Sequence, residues 1–210
     1  MIKVLIADDH DVIREGLKMI LEAQPDIQVV GCAVDGREAV EQAEHLLPDL
    51  ILMDVSMPEL NGIEAAHIIS GRLPAVRIIF ISMHHTSEHI HRALQAGGQG
   101  YLLKESAGHE IVEAVRDVIR GRNFFGSGVE LPQAGPAAGS KSPLDSLSGR
   151  EREILQYVVE GKSSAEIANL LTLSPKSVDT YRSRLMIKLG VFNLPSLVRY
   201  ALEHGIIPPA

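Results

Sequence analysis

Five side chains suited to phosphate or metal chemistry stand at the ends of short apolar runs. Asp8 and Asp9 follow Val4 to Ala7, Asp54 follows Leu50 to Met53, Ser82 follows Val76 to Ile81, and Lys104 follows Tyr101 to Leu103. Runs this short read as buried strands, and in a parallel sheet all strand ends meet on one edge, where ligands bind at the reversal of strand order. Three carboxylates brought together there repel: at about 4 Å and an effective dielectric of about 20, each pair costs on the order of 4 kcal/mol. A shared cation must offset that cost. Ligands that are all oxygen favour Mg2+, which keeps several waters and takes one or two carboxylates plus phosphate oxygens. The matching reaction is phosphoryl transfer to a carboxylate. Asp54 would be the nucleophile, the metal and Lys104 would neutralise the phosphoryl oxygens, and the Ser82 hydroxyl would donate to them. A lone Asp at a strand end is more often a cap or loop residue, but five such groups at four strand ends seldom coincide.

A second set of residues points to another chemistry. Ser174-Pro175 is a helix start signal, and on a wheel of about 100° per residue Val178, Leu185 and Leu189 share one line that faces a core. The opposite arc holds Asp179, Thr180, Ser183, Arg184 and Ile187, with Lys176, Arg182 and Lys188 at its edges. Four cations against one anion between Lys176 and Lys188 suit a helix in the major groove, where Lys and Arg fix register on phosphates and short polar groups read base edges. Charge alone leaves a solvated helix surface equally open.

The strands that carry the acids must alternate with helices. Ile27 to Val34 completes five apolar runs, while Val12 to Leu21, Glu38 to Leu47 and Ile111 to Ile119 repeat apolar residues at i, i+3, i+4 and i+7. The order is (βα)5, an α/β doubly wound parallel sheet with helices on both faces. From Leu147 onward the pattern is all-α: four helices without a strand. The first is capped by Ser148, the second starts at Ser163 or Ser164, and the third follows a tight turn, as in helix-turn-helix units. The last carries Leu194, Leu197, Val198, Ala201 and Leu202 on one stripe and ends at Gly205.

Between the halves, Gly126 to Ser146 holds 4 Gly, 4 Ser, 3 Pro and 3 Ala in 21 residues, a composition unable to bury a core. Three segments follow: a first domain over 1–122, a flexible linker over 123–145 and a second domain over 146–210. Charge divides at the same place, −8 over residues 1–122, 0 over 123–144 and +1 over 145–210, within a net −7 for 210 residues. Any nucleic-acid contact must therefore come from a local patch. Cys32 is the one cysteine, which excludes an intrachain disulfide and fits a reducing compartment. No apolar stretch reaches the roughly 18 residues that span a bilayer, so a cytoplasmic protein without a membrane partner is expected.

Residues 1–122 resemble the receiver domain of bacterial response regulators. The resemblance rests on Asp8-Asp9, Leu50 to Pro58 with Asn61-Gly62, the Ser82 position and Gly100 to Lys104. It implies a flavodoxin-like strand order 2-1-3-4-5, a phosphoryl group accepted by Asp54 from a sensor histidine kinase, and Mg2+ held by Asp9, by Asp8 mainly through water, by Asp54 and by the Ser56 carbonyl. It also implies a switch pair, in which the Ser82 hydroxyl turns to the phosphate and the Tyr101 ring moves inward. Residues 147–205 resemble the LuxR-type helix-turn-helix through Leu147 to Glu151, Gly161-Lys-Ser, Glu166-Ile-Ala, Leu173 to Val178 and Tyr181 to Gly190. That resemblance implies double-stranded DNA as partner, with contacts drawn from Lys176, Ser177, Asp179, Thr180, Tyr181, Arg182, Ser183, Arg184 and Lys188. Asp179, Thr180 and Ser183 would read bases. Together the two are similar to the NarL/FixJ type of transcriptional response regulator, which implies a homodimer on activation, RNA polymerase as a further candidate partner and no enzymatic activity beyond its own phosphorylation and dephosphorylation.

Two other readings stay open at this point: a DNA binder that does not depend on phosphorylation, and a Mg2+-dependent phosphohydrolase using an aspartyl phosphate. The second lacks an acidic residue two positions after Asp54, where Ser56 stands. His84, His85, His89 and His91 crowd one stretch, and His85 with His89 has the one-turn spacing of a zinc or copper pair. With only Glu88 beside them, they read as a solvated helix start.

Overall fold

Strand runs rich in Val, Ile and Leu bury both faces, as a parallel sheet covered by helices requires. In the computed structural model, which describes residues 1–83, 86–129, 143–204 and 206–207, the first half forms β1 (Ile2–Ala7), α1 (Asp11–Glu22), β2 (Ile27–Ala33), α2 (Gly36–Leu46), β3 (Leu50–Asp54), α3 (Gly62–Arg72), β4 (Arg77–Ser82), α4 (Ser87–Gln95), β5 (Gly100–Leu103), α5 (Lys104–Ile119) and β6 (Phe124–Phe125). All pairings are parallel in the order β2-β1-β3-β4-β5-β6. The expected order 2-1-3-4-5 is present, and a sixth strand extends it.

Alternation along each strand sorts the core into two layers. Leu5, Ile51, Met53, Ile78, Phe80 and Tyr101 pack against α2, α3 and α4, while Val4, Ile6, Leu50, Leu52, Ile79 and Leu102 pack against α1 and α5. Because β1 and β3 are neighbours, Ala7 pairs with Met53 and Asp8 emerges beside Asp54. Gly62 keeps this edge closed: its N–H donates to the Val55 carbonyl at 2.9 Å, and a Cβ there would stand 1.8 Å from the Asp54 carbonyl oxygen. Only glycine tolerates that approach.

The chain divides into two compact units, Met1–Pro132 and Gln133–Ala210. Both described ends of the expected 123–145 linker belong to a folded unit. Phe124 and Phe125 pair with Gly100 and Tyr101 on β5, and Val129 packs on the first core. Ser127 donates through its N–H, at 3.1 Å, and through its hydroxyl to Glu110 on α5. Leu144 is buried in the second core, inside a 3-10 turn over Pro143–Ser146. Residues 130–142 of that segment lie outside the described residues. A two-residue strand is too short for any periodicity to announce it.

The second unit contains α6 (Gly149–Val159), α7 (Ser164–Leu171), α8 (Pro175–Leu189) and α9 (Leu194–Glu203). Its caps are the ones the residue types call for. Ser148 and Ser163 each form a capping box with the Glu three residues on, and Ser174 caps a helix with Pro at its start. Val178, Leu185 and Leu189 are buried as the wheel requires, against Ile154, Val158, Ile167 and Leu171. α9 ends at Glu203, and the expected stop at Gly205 lies outside the described residues.

Candidate functional site

At the sheet edge, a buried lysine bridges two buried carboxylates. Lys104 Nζ donates to Asp54 Oδ2 at 2.7 Å and lies 2.8 Å from Asp8 Oδ2. Asp54 Oδ1 accepts a longer bond, 3.3 Å, from the Ser56 N–H. Asp8 is fixed from its other side: its Oδ1 accepts from the His10 N–H at 2.8 Å, and its carbonyl accepts from Arg14 Nη1 at 2.6 Å. The edge is thus assembled by β1, β3 and the first residue of α5.

Burial dominates the electrostatics. It pushes the Asp54 carboxyl up to about 7, and Asp8 adds to the rise while Lys104 opposes it. For Lys104 burial works the other way, but Asp54 and Asp8 outweigh it and hold the ammonium above its ordinary value. Burial also raises Tyr101 to about 12, although its hydroxyl shares a hydrogen bond with Ser82. The Tyr101 ring is fully buried.

The donor set fits a small divalent cation. Asp8, Asp9, His10 and Asp54 each offer one ligand atom, and these atoms lie within 4.8 Å of one another. Asp8 Oδ2 and Asp9 Oδ1 are buried, with Lys104 Nζ 2.8 Å from the first and His10 Nδ1 2.7 Å from the second. Clustered carboxylate oxygens are the ligands that an oxygen-seeking ion uses. His10 is the residue the sequence reading missed. The signal was its place directly after two aspartates, which spacing rules for metal sites do not cover.

The histidine-rich stretch differs from its expectation. His89 is 2% exposed, with Nδ1 2.5 Å from Thr86 Oγ1, so it is a packed residue rather than part of a solvated start. His91 is joined to Gln95 at 2.9 Å, and His84 and His85 lie outside the described residues.

On α8, Lys176, Asp179, Thr180, Ser183 and Arg184 are exposed, while Ser177, Tyr181 and Arg182 are half-buried. Ser164 on α7 ties two of them: its hydroxyl donates to Asp179 Oδ1 at 2.6 Å and accepts from Arg182 Nη1 at 2.9 Å. The Thr180 hydroxyl donates to the Lys176 carbonyl at 2.9 Å and the Ser183 hydroxyl to the Asp179 carbonyl at 3.0 Å. Each hydroxyl thereby spends its one proton inside the helix, keeping only acceptor capacity for a ligand.

Lys188 departs from the wheel's suggestion. Its Nζ donates to Glu151 Oε2 at 2.7 Å and to the Ser146 carbonyl at 3.0 Å. Burial alone would raise the Glu151 carboxyl, but Lys188 and Ser148 overcome it and hold the group below its usual range. Lys188→Ala is therefore expected to cost the second unit about 1 kcal/mol, since the lysine is partly exposed and Ser148 still bonds the Glu151 carboxylate. Thermal melting of that unit checks it, against an unchanged Arg184→Ala.

An acid edge closed by a lysine, in a chain that also carries a separate helix-turn-helix, defines a class in which one module senses a charge and another handles duplex. Residues 4–116 match the family model of the response regulator receiver domain, and residues 145–201 match that of bacterial regulatory proteins of the luxR family. Transcriptional regulatory protein MctR of Rhizobium johnstonii is 38% identical over 206 residues, 98% of this chain and 95% of that protein. Response regulator UvrY of Escherichia coli is 38% identical over 210 residues, covering 98% and 96%. A solved complex of the two-component response regulator RcsB with DNA aligns with a TM-score of 0.59 at 27% identity, over 97% of this chain and 98% of that one. The chain belongs to the bacterial response regulators that join a receiver domain to a luxR-family DNA-binding domain, and it is a DNA-binding transcription regulator of that kind. Among the described residues, no single helix is long and apolar enough to cross a membrane.

Proposed function

We propose that Asp54 is the phosphoacceptor of a two-component pathway in the cytoplasm, and that its modification controls pairing of two chains and sequence-specific grip on DNA. The observation that carries this reading is the Lys104 ammonium held between Asp54 and Asp8 at 2.7 and 2.8 Å. It is a preformed counter-charge for an incoming phosphoryl group. A carboxylate oxygen of Asp54 attacks phosphorus; the O–P bond forms as the N–P bond of a phosphohistidine donor breaks, and the imidazole leaves with the electron pair. Lys104 stays with the phosphoryl oxygens. Ser82 donates its proton to one of them while its lone pairs remain open to Tyr101. Asp8, Asp9, Asp54 and the Ser56 carbonyl would hold Mg2+, which would supply further neutralisation of the same oxygens. Chemistry ends with the protein's own phosphoryl gain and loss, so it is not an enzyme toward other substrates.

The downstream half of the proposal uses α8. Lys176 and Arg184 hold phosphates, and the Asp179, Thr180 and Ser183 positions face base edges, with Ser177, Tyr181 and Arg182 beside them. A homodimer on an inverted repeat, with RNA polymerase as a later partner, completes the pathway. Selecting bound duplexes from a random pool, with and without a phosphodonor, tests the whole reading. A shared motif enriched only with phosphodonor is expected; enrichment independent of it would favour a DNA binder that is not gated by phosphate.

Acid–base behaviour supplies a check on the cation. The folded Asp54 carboxyl sits at about 7, above its ordinary 3.8. Its protonation thus favours the folded state below about pH 4, and this contribution is lost as pH rises through about 7. A divalent ion competes with that proton. Millimolar Mg2+ should raise the melting temperature by about 5 °C at pH 8 and by much less at pH 5.5. An equal shift at both values would exclude Asp54 from the cation's ligands.

A further inference from the structure

The imidazole of His10 points at carboxylates rather than at its own helix. His10 is the N-cap residue of α1, a position that favours Ser, Thr, Asp or Asn, yet its side chain makes no capping hydrogen bond. Its Nδ1 stands 2.7 Å from Asp9 Oδ1 and 3.1 Å from Asp8 Oδ1 instead, and the ring is half exposed. In an octahedral site with bonds near 2.1 Å, neighbouring ligand atoms are about 3.0 Å apart and opposite ones about 4.2 Å. The separations around His10 match the first figure, and the 4.8 Å limit over Asp8, Asp9, His10 and Asp54 spans little more than the second.

We infer that His10 gives this acidic pocket a nitrogen ligand, so that it takes first-row transition-metal cations in place of Mg2+ more readily than carboxylates alone would allow. The inference rests on the proposed cation site and adds a selectivity to it. Imidazole is a poor partner for Mg2+ and a good one for Co2+, Ni2+ and Zn2+, and affinities for mixed nitrogen and oxygen sites rise along the first row as far as Cu2+. The neutral ring offers its Nδ1 lone pair to the ion, and the aspartates keep their oxygens on it. Without an ion, the same nitrogen serves as a hydrogen-bond partner to the acids, which is the bland role that the test must separate from ligation.

The test uses the full-length protein and its His10→Ala and His10→Asn variants, titrated calorimetrically with Mg2+ and separately with Co2+. The asparagine supplies a capping acceptor that His10 does not use, so α1 is stabilised in one variant even if the alanine variant melts early. Both variants are expected to lose Co2+ affinity about tenfold while Mg2+ affinity changes less than about twofold. In Mn2+-loaded wild type, electron spin echoes should carry modulation from an imidazole nitrogen, absent from both variants. Parallel losses for Mg2+ and Co2+, no loss for either, or no nitrogen modulation in wild type would each overturn the assignment. Failure of wild type to bind any of the ions would overturn the cation site itself, a different result from failure of His10 alone.

Discussion

Full-length Asp54→Asn protein incubated with acetyl phosphate and Mg2+ is expected to gain no covalent phosphoryl group under conditions where wild type is fully labelled, a loss of at least about a hundredfold in rate. The amide is nearly isosteric and keeps the buried packing of β3, so loss of labelling reads chemistry rather than unfolding. Asp8 cannot take over. Its Oδ1 is held by the His10 N–H at 2.8 Å and its Oδ2 lies against Lys104, whereas Asp54 Oδ1, among the described residues, accepts the longer 3.3 Å bond from Ser56. Intact-protein mass measurement checks the result, and equal labelling of the two proteins would place the acceptor elsewhere.

The Lys176→Ala and Arg184→Ala double variant is expected to bind every duplex about tenfold to a hundredfold more weakly, with little change in which sequence is preferred. Both side chains are exposed on α8, as is Lys188, but Lys188 is held by Glu151. Contacts to phosphates release counterions, so the slope of log affinity against log salt should flatten by about 1 for each cation removed. Fluorescence anisotropy over a salt series on a selected and a scrambled duplex reads both quantities. A changed sequence preference with an unchanged slope would make these residues base readers.

The acid edge was legible because parallel strands end together, so Asp8, Asp54, Ser82 and Lys104 could be assembled from run lengths alone. Helix faces were equally legible, since period and burial agree at Val178, Leu185 and Leu189. What stayed hidden depends on neighbours distant in sequence. A wheel gives Lys188 an angle but says nothing of Glu151, 37 positions earlier. Nor does it show that Ser164 ties Asp179 to Arg182. Counting histidines suggested a wet helix start, whereas His89 is packed inside. β6 was hidden by brevity, its two phenylalanines falling in a stretch whose composition otherwise speaks for a linker.

That last strand has a mechanical consequence. Phe125 pairs with Tyr101, the Gly126 N–H donates to the Tyr101 carbonyl at 2.9 Å, and Ser127 is pinned to Glu110 on the next helix. The peptide leaving toward the second unit is therefore stitched to the backbone of the very residue whose ring fills the interior behind Ser82. A displacement of β5 would therefore be passed to residues 125–127 through these bonds.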